Sequence, residues 1–260
     1  MKWRLGVVGS PIEHSLSPAL HEAGLRLAGL KGSSSLVELG EQDAKKLGKW
    51  MGKNYDALSV TMPLKRAALA YCAELDDVAS RIGAVNSLRW HDGRIEGANT
   101  DGAGFLQALF ATFGVSADNL HAVVLGSGGA ARAIVDALVA HGVSSVAVHA
   151  RSTDQVDQLS AAYPNVFGHM LVYRPVDLIV NTIPEPARGA ESAVIQGVTP
   201  ETVAVDVTYS PVMSAWREMY RAAGCRTQNG LGMLAYQAAG QMSWWFGVEV
   251  DGAELLKVIS

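Results

Sequence analysis

Short apolar runs rich in β-branched residues recur along the chain, and several are followed by a turn and then an amphipathic stretch. RLGVVGS (4–10) reads as a strand, residues 11–18 as a turn, and PALHEAGLRLAGL (18–30) as a helix. The same grammar returns in HAVVLG (121–126), SGG (127–129) and AARAIVDALVAHG (130–142). Alternation of this kind predicts βαβ units around a largely parallel sheet. Further strands are expected over 57–63, 144–150, 177–183 and 202–209, with a charged helix over about 41–51. AVNSLRWHDGRIEGAN (84–99) has the pattern of a hairpin turning at His91-Asp92-Gly93. A helix over 100–113 divides one α/β set from a second. The tail from Leu231 is helical by pattern and brings no new strands. It is expected to return to the first set, leaving a cleft between the two.

Composition narrows the class. The chain has 260 residues, 49% of them hydrophobic, with a net charge of −4. That is ample for one large domain or two ordinary ones. With no basic excess, general nucleic-acid binding is not expected, and the balance suits a soluble, cytoplasmic protein. The N-terminal run is interrupted by Gly6 and Gly9 and does not read as a signal peptide. Residues 227–248 carry no charge, yet Asn229, Gln237, Gln241 and Ser243 interrupt the run, so a buried or cleft-lining helix is expected in place of a membrane span. Cys72 and Cys225 form no C-x-x-C unit and read as reduced thiols. The seven histidines form no ligand cluster, and no metal is expected; His14 reads as a turn residue.

The chemistry begins at the second glycine turn. VVLGSGGAARAIV fits G-x-G-x-x-A at Gly126, Gly128 and Ala131, after a strand and at the opening of a helix, which is the context a dinucleotide site requires. The first glycine permits the tight turn, the second a close approach of backbone to pyrophosphate, and the alanine close packing of helix on strand. The next strand ends in Ala150, Arg151 and Ser152, where an NAD site carries an acid for the ribose 2′-hydroxyl. A cation and a hydroxyl there favour a 2′-phosphate, hence NADP. The first glycine turn lacks this pattern and instead carries Ser15 and Ser17 just before Pro18. One serine is enough to cap the helix, which leaves the other for a small anion such as a carboxylate. Polar groups also end three apolar stretches: Thr61 and Lys65, Asn86, and Asn99-Thr100-Asp101.

Seven segments taken together resemble the shikimate dehydrogenase family: HSLSP (14–18), VTMPLK (60–65), GAVNSL (83–88), NTDG (99–102), GSGGAAR (126–132), DVTYSP (206–211) and NGLGMLAYQ (229–237). They stand in the family's order and span nearly the whole chain. The resemblance implies an α/β protein with an N-terminal substrate-binding domain of mainly parallel sheet (1–103, joined by helices of 232–260). A C-terminal Rossmann dinucleotide-binding domain (104–231) would complete it. The implied activity is the reversible, NADPH-dependent reduction of 3-dehydroshikimate to shikimate, a step toward chorismate and the aromatic amino acids, without metal.

By the same resemblance Lys65 and Asp101 form the catalytic pair. Ser15, Ser17, Thr61, Asn86, Tyr209 and Gln237 contact the substrate. Gly126, Gly128, Gly129 and Ala130 hold the pyrophosphate, Arg151 and Ser152 the 2′-phosphate, while Val207 and Gly230 lie by the nicotinamide. The pattern departs from the family at 150–155: NADP-dependent members often read Asn-Arg-Thr with a later basic residue, and here Ala150 and Gln155 stand at the first and last of these positions. Two other readings stay open. One is a quinate or quinate/shikimate dehydrogenase using NAD, against which Ser17 counts, since quinate-preferring relatives often have threonine there. The other is a non-catalytic NADP-sensing regulator, which need not keep Lys65 and Asp101. The expected partner is a small molecule, not nucleic acid or membrane, for a monomer or homodimer.

Overall fold

The computed structural model describes residues 2–168, 175–184 and 196–260. The chain divides into two compact units, Met1–Gln107 with Leu234–Ser260, and Ala108–Met233. In chain order the first segment holds β1 (Lys2–Gly9), α1 (Ser17–Leu27), β2 (Lys31–Glu38), α2 (Lys45–Trp50), β3 (Ala57–Val60), β4 (Glu74–Leu75), α3 (Asp77–Ile82), β5 (Ser87–His91) and β6 (Arg94–Ala98). There follow α4 (Asp101–Phe113), β7 (His121–Leu125), α5 (Gly129–Ala140), β8 (Ser145–His149), α6 (Thr153–Ala162) and β9 (Val166–Gly168). Then come β10 (Val176–Asn181), β11 (Val198–Asp206), α7 (Ala215–Ala222), β12 (Arg226–Gln228), α8 (Leu231–Phe246) and α9 (Gly252–Ile259).

The sheet of the first unit runs β2-β1-β3-β5-β6-β4. Its β1 pairs in parallel with β2 and β3, and β4 with β6, while the β5–β6 hairpin is antiparallel within itself and to β3. The hairpin turns on Asp92 and Gly93, both at positive φ, the combination a tight two-residue turn needs to match strand twist. One cluster of buried side chains includes Leu47, Leu58, Leu64 and Leu88. A second joins Leu20 and Leu25 of α1 to Ala235, Ala239, Met242 and Trp245 of α8 and Leu255 of α9. The charge-free run is thus a core helix, its buried residues at helical spacing. Among the described residues no helix is long and apolar enough to cross a membrane.

Several elements differ from the sequence expectation, among them the short strands β4, β9 and β12, which it does not include. β2 has no counterpart in it: KGSSSLVE has no apolar alternation, and the strand holds through an unbroken ladder on β1 from Lys2↔Lys31 to Gly9↔Glu38. The charged helix over 41–51 is a 3-10 turn, Glu41–Asp43, followed by the short α2. Ala44 joins the two, and only Leu47 of α2 is buried.

The second unit has a fully parallel sheet in the order β12-β11-β10-β7-β8-β9. Counted from β7 as the first strand, this is the strand order of a Rossmann fold, reversing between β7 and β10. Its core combines Val123, Leu125, Ile179 and Ala204 with Trp216 and Tyr220 of α7. The glycine turn after β7 stands at the reversal, where open α/β sheets bind ligands.

Candidate active site

In the first unit the ends of β3, β5 and β6 and the start of α4 bring four of the expected residues into one hydrogen-bonded group. Lys65 follows β3, and its Nζ lies 2.5 Å from Asp101 Oδ2. Asp101 opens α4, and its other carboxylate oxygen accepts from Asn86 Nδ2 at 2.8 Å. The same Asn86 amide donates to Gln237 Oε1 at 3.1 Å and Thr100 Oγ1 at 3.0 Å. Lys65 keeps 17% of its side-chain surface and Asp101 only 5%, so the ammonium is the member of the pair with access to solvent.

The local chain explains why the carboxylate stands there. The first N–H groups of a helix have no partner within it. At the start of α4 the Asp101 N–H donates to Asn99 Oδ1 at 3.0 Å, and the N–H of Thr100, just before the helix, to Asn86 Oδ1 at 3.0 Å. Asn99 is held in turn on the Ala84 carbonyl at 3.0 Å. A carboxylate in a first helical turn also lies at the positive end of the helix dipole. Gln237 reaches the group because α8 crosses α4 closely: a Cβ on Gly104 would stand 2.7 Å from the Gln237 Cα.

Behind this group lies a chain that sequence reasoning missed. Gln241 Nε2 donates to the Asn86 carbonyl at 2.8 Å, and its Oε1 accepts from Ser59 Oγ at 2.6 Å. Since the Ser59 hydroxyl proton is used there, His21 Nε2 must donate to Ser59 Oγ (2.9 Å), leaving Nδ1 to accept from Ser34 Oγ (2.7 Å). His21 is fully buried against Trp245, with ring centroids 5.2 Å apart, and burial lowers its pKa from 6.5 to about 3. It is neutral in a fixed tautomer. A signal existed in the i, i+4 spacing of Gln237 and Gln241, which puts two amides on one helix face.

Ser15, Ser17 and Thr61 belong to the same unit, without a hydrogen bond to the lysine–carboxylate group among those described. Ser15 Oγ accepts from the Ser17 N–H at 3.3 Å, and Ser17 is the buried first residue of α1. Leu16 takes the N-cap place with no side-chain cap, so capping in the usual sense is not what the serines do. Thr61 is tied by its N–H to the Val8 carbonyl at 2.9 Å and stays half-buried.

The second unit carries the other expected set. Gly126 has φ +113°, a conformation L side chains rarely adopt, and its N–H donates to the His149 carbonyl at 2.8 Å. Gly128 is the N-cap of α5 and Gly129 and Ala130 its first residues, with no side-chain cap. A Cβ at Gly128 would meet no heavy atom within 4 Å, so the backbone there is open to a ligand. Ala131 is fully buried where the helix packs. Arg151 is exposed after β8, and Ser152 is the N-cap of α6, again without a side-chain cap. Gln155 is taken up by Ser127 Oγ, which donates to its Oε1 at 2.9 Å, so it braces the glycine turn. Val207, Tyr209 and Gly230 lie beyond β11 and β12; the Gly230 N–H donates to the Thr208 carbonyl at 2.9 Å. Two helix N-termini without side-chain caps, one on an open glycine backbone and one beside an arginine, fit the pyrophosphate and 2′-phosphate of NADP. No group of histidines, cysteines and carboxylates among the described residues is arranged to hold a metal ion.

A Rossmann unit with an open glycine turn, in a chain that also carries a lysine–carboxylate pair, has the parts of a nicotinamide-dependent oxidoreductase. Comparison with known proteins agrees. Residues 7–88 match the model of the shikimate dehydrogenase substrate binding domain. The chain is 36% identical over 263 residues to shikimate dehydrogenase (NADP(+)) of Brucella canis, covering 96% of this chain and 91% of the relative. It is 32% identical over 254 residues to the Geobacillus kaustophilus enzyme of the same name, at 93% and 92% coverage. Among solved structures, shikimate 5-dehydrogenase of Thermus thermophilus in complex with NADP(H) and shikimate superposes with a TM-score of 0.87 at 33% identity, covering 98% of each chain. The chain belongs to the shikimate dehydrogenase family.

Proposed function

We propose that this protein is an NADP-dependent shikimate dehydrogenase that reduces 3-dehydroshikimate to shikimate, and runs the reverse oxidation, without metal. The observation that carries the reading is the Lys65–Asp101 pair at 2.5 Å, set in a network that includes Asn86 and Gln237. NADPH, when bound, supplies the hydride that reaches the ketone carbon. Lys65 supplies the proton: its Nζ donates toward the carbonyl oxygen and stabilises the negative charge that grows there. Asp101 holds the ammonium in place and accepts a hydrogen bond from Asn86, which keeps the carboxylate from turning away. Asn86 and Gln237 present amides to ring hydroxyls, Thr61 adds a hydroxyl, and Ser15 and Ser17 receive the substrate carboxylate.

From the second unit Tyr209 is assigned to the substrate and Val207 and Gly230 to the nicotinamide. Gly126, Gly128, Gly129 and Ala130 take the pyrophosphate; Arg151 and Ser152 take the 2′-phosphate. The same reading puts the protein in the cytoplasm as a monomer or homodimer, in the route to chorismate and the aromatic amino acids.

The test is turnover of 3-dehydroshikimate, shikimate and quinate with each of NADP(H) and NAD(H), on the protein and on Lys65→Ala. Shikimate with NADP is expected to be the preferred pair. Lys65→Ala is expected to lower kcat by about 10²–10⁴-fold, the span for a lost acid–base group, with both ligands still bound. Near-normal turnover in a folded Lys65→Ala protein would remove the lysine from the mechanism, and preference for quinate with NAD would overturn the substrate reading.

A further inference from the structure

The described residues hold one wholly buried carboxylate that the mechanism above does not use. Asp206 ends β11 with no exposed surface. Its Oδ1 accepts from three donors: Asn181 Nδ2 at 3.1 Å, the Thr208 N–H at 3.1 Å and Thr208 Oγ1 at 2.8 Å. Its Oδ2 accepts from Ser214 Oγ at 2.6 Å. Thr208 and Ser214 lie near the two ends of the loop, residues 207–214, that joins β11 to α7. One carboxylate therefore clasps both ends of that loop, and the Asn181 bond ties the clasp to the neighbouring strand β10.

The loop is held from a second direction as well. Ser214 is the N-cap of α7 and accepts from the Arg217 N–H at 3.2 Å. The Arg217 guanidinium donates from Nη1 to the Val212 carbonyl inside the loop. Arg217 is largely buried; that burial lowers its pKa, and the charge of Asp206 offsets only part of the shift. The Thr208 carbonyl accepts from the Gly230 N–H at 2.9 Å, which joins the loop to the start of α8. Inside the clasp are Val207 and Tyr209. Their neighbours Val212 and Met213 are 68% and 43% exposed, so the loop has little apolar packing to hold its shape. A loop of this kind keeps one conformation only through its polar anchors.

We infer that Asp206 is a positioning residue, whose buried carboxylate fixes the 207–213 loop so that Val207 meets the nicotinamide and Tyr209 the substrate. This rests on the reading of the protein as an NADP-dependent shikimate dehydrogenase. An aspartate is required more than an asparagine because both of its oxygens are acceptors, while an amide nitrogen would face the Ser214 hydroxyl and the charge beside Arg217 would be lost. The carboxylate is wholly buried on protein donors, with no surface left to offer a ligand. Its effect is confined to the end of the cofactor that this loop serves.

That confinement gives the test. Asp206→Asn is compared with the unaltered protein in three measurements: steady-state kinetics with shikimate and NADP, binding of NADPH against adenosine 2′,5′-bisphosphate (which lacks the nicotinamide), and amide hydrogen exchange with no ligand present. The expected result is a fall in kcat of roughly tenfold to a hundredfold, the penalty for an ångström-scale misplacement of a reacting group. The KM for shikimate rises and NADPH binding weakens, while the adenosine bisphosphate binds as before. Exchange quickens over 207–214 and stays slow in β7, β8 and β10. Equal loss of both nucleotides, exchange that quickens throughout the unit, or unchanged turnover would each overturn the assignment. Should Asp206→Asn not fold, Thr208→Val removes one donor and leaves the carboxylate in place. It must show the same split and the same local exchange, and normal behaviour would overturn the assignment equally. If the unaltered protein fails to oxidise shikimate, the substrate reading fails by itself, while the exchange and nucleotide measurements still decide the role of Asp206.

Discussion

Acidification should loosen the first unit through His21, by an amount the structure sets. The imidazole is buried between Ser34, Ser59 and Trp245, and burial takes its pKa from 6.5 to about 3. The fold therefore holds the neutral form, while the unfolded chain takes up a proton near pH 6.5. In that window the unfolded state binds more protons, so stability falls as the pH falls. The contribution is fully present above pH 6.5 and is lost progressively down to about pH 3. Each pH unit is worth about 1.4 kcal/mol once the unfolded histidine is protonated, so lowering the pH from about 7.5 to about 5.0 should remove about 2 kcal/mol. Against a total of about 5–15 kcal/mol for a typical protein this is a large share.

Other groups titrate over the same range, so the measurement has to isolate His21. His21→Gln retains an amide donor for Ser59 and an acceptor for Ser34 but does not titrate. The assay is urea unfolding of both proteins at the same two pH values, followed by tryptophan fluorescence. Trp3, Trp50, Trp90, Trp244 and Trp245 all lie in the first unit and only Trp216 in the second, so the signal reports chiefly the unit that contains His21. The stability gap between the two proteins should shift by about 2 kcal/mol in favour of the variant at the lower pH. Parallel pH dependences would refute the claim that the fold holds this histidine neutral.

Two further predictions concern the ligands. Arg151→Ala should weaken NADPH by about tenfold to a hundredfold, the equivalent of one charge-assisted contact, and leave NADH nearly unchanged; equal losses in titrations of the two cofactors would show that Arg151 does not read the 2′-phosphate. Replacing Ser15 and Ser17 together by alanine should raise the KM for shikimate by at least about tenfold, since each hydrogen bond to a charged group is worth roughly 1.5–3 kcal/mol. NADPH binding should be unaffected, and because the only side-chain bond to the start of α1 described for these serines is the 3.3 Å one from the Ser17 N–H to Ser15 Oγ, the melting temperature should fall only slightly. An unchanged KM would remove the serines from the substrate site.

Local pattern alone determined much of this protein. The β7 strand, glycine turn and α5 are legible because strand period, turn chemistry and helix period follow one another within about twenty residues and each has a local physical cause. The hairpin at Asp92-Gly93 is legible for the same reason. Lys65 and Asp101 are legible as residues, from the company of their motifs.

Other features have causes that are distant in sequence. β2 exists because β1 offers it a ladder, not because its serines favour a strand. Gln241 reads as one polar residue in an apolar helix until folding sets it on the Asn86 carbonyl, 155 positions away. His21 looks like any polar residue on a helix, and its neutrality follows only from the ring of groups that surrounds it. Asp206 lies in a motif, but that it closes a loop depends on Asn181, Thr208 and Ser214 meeting it together. Sequence specifies which groups are present and the local turns that carry them. Burial, and with it protonation state and the pairing of hydrogen bonds, depends on neighbours from remote parts of the chain, and those are supplied only by the tertiary structure.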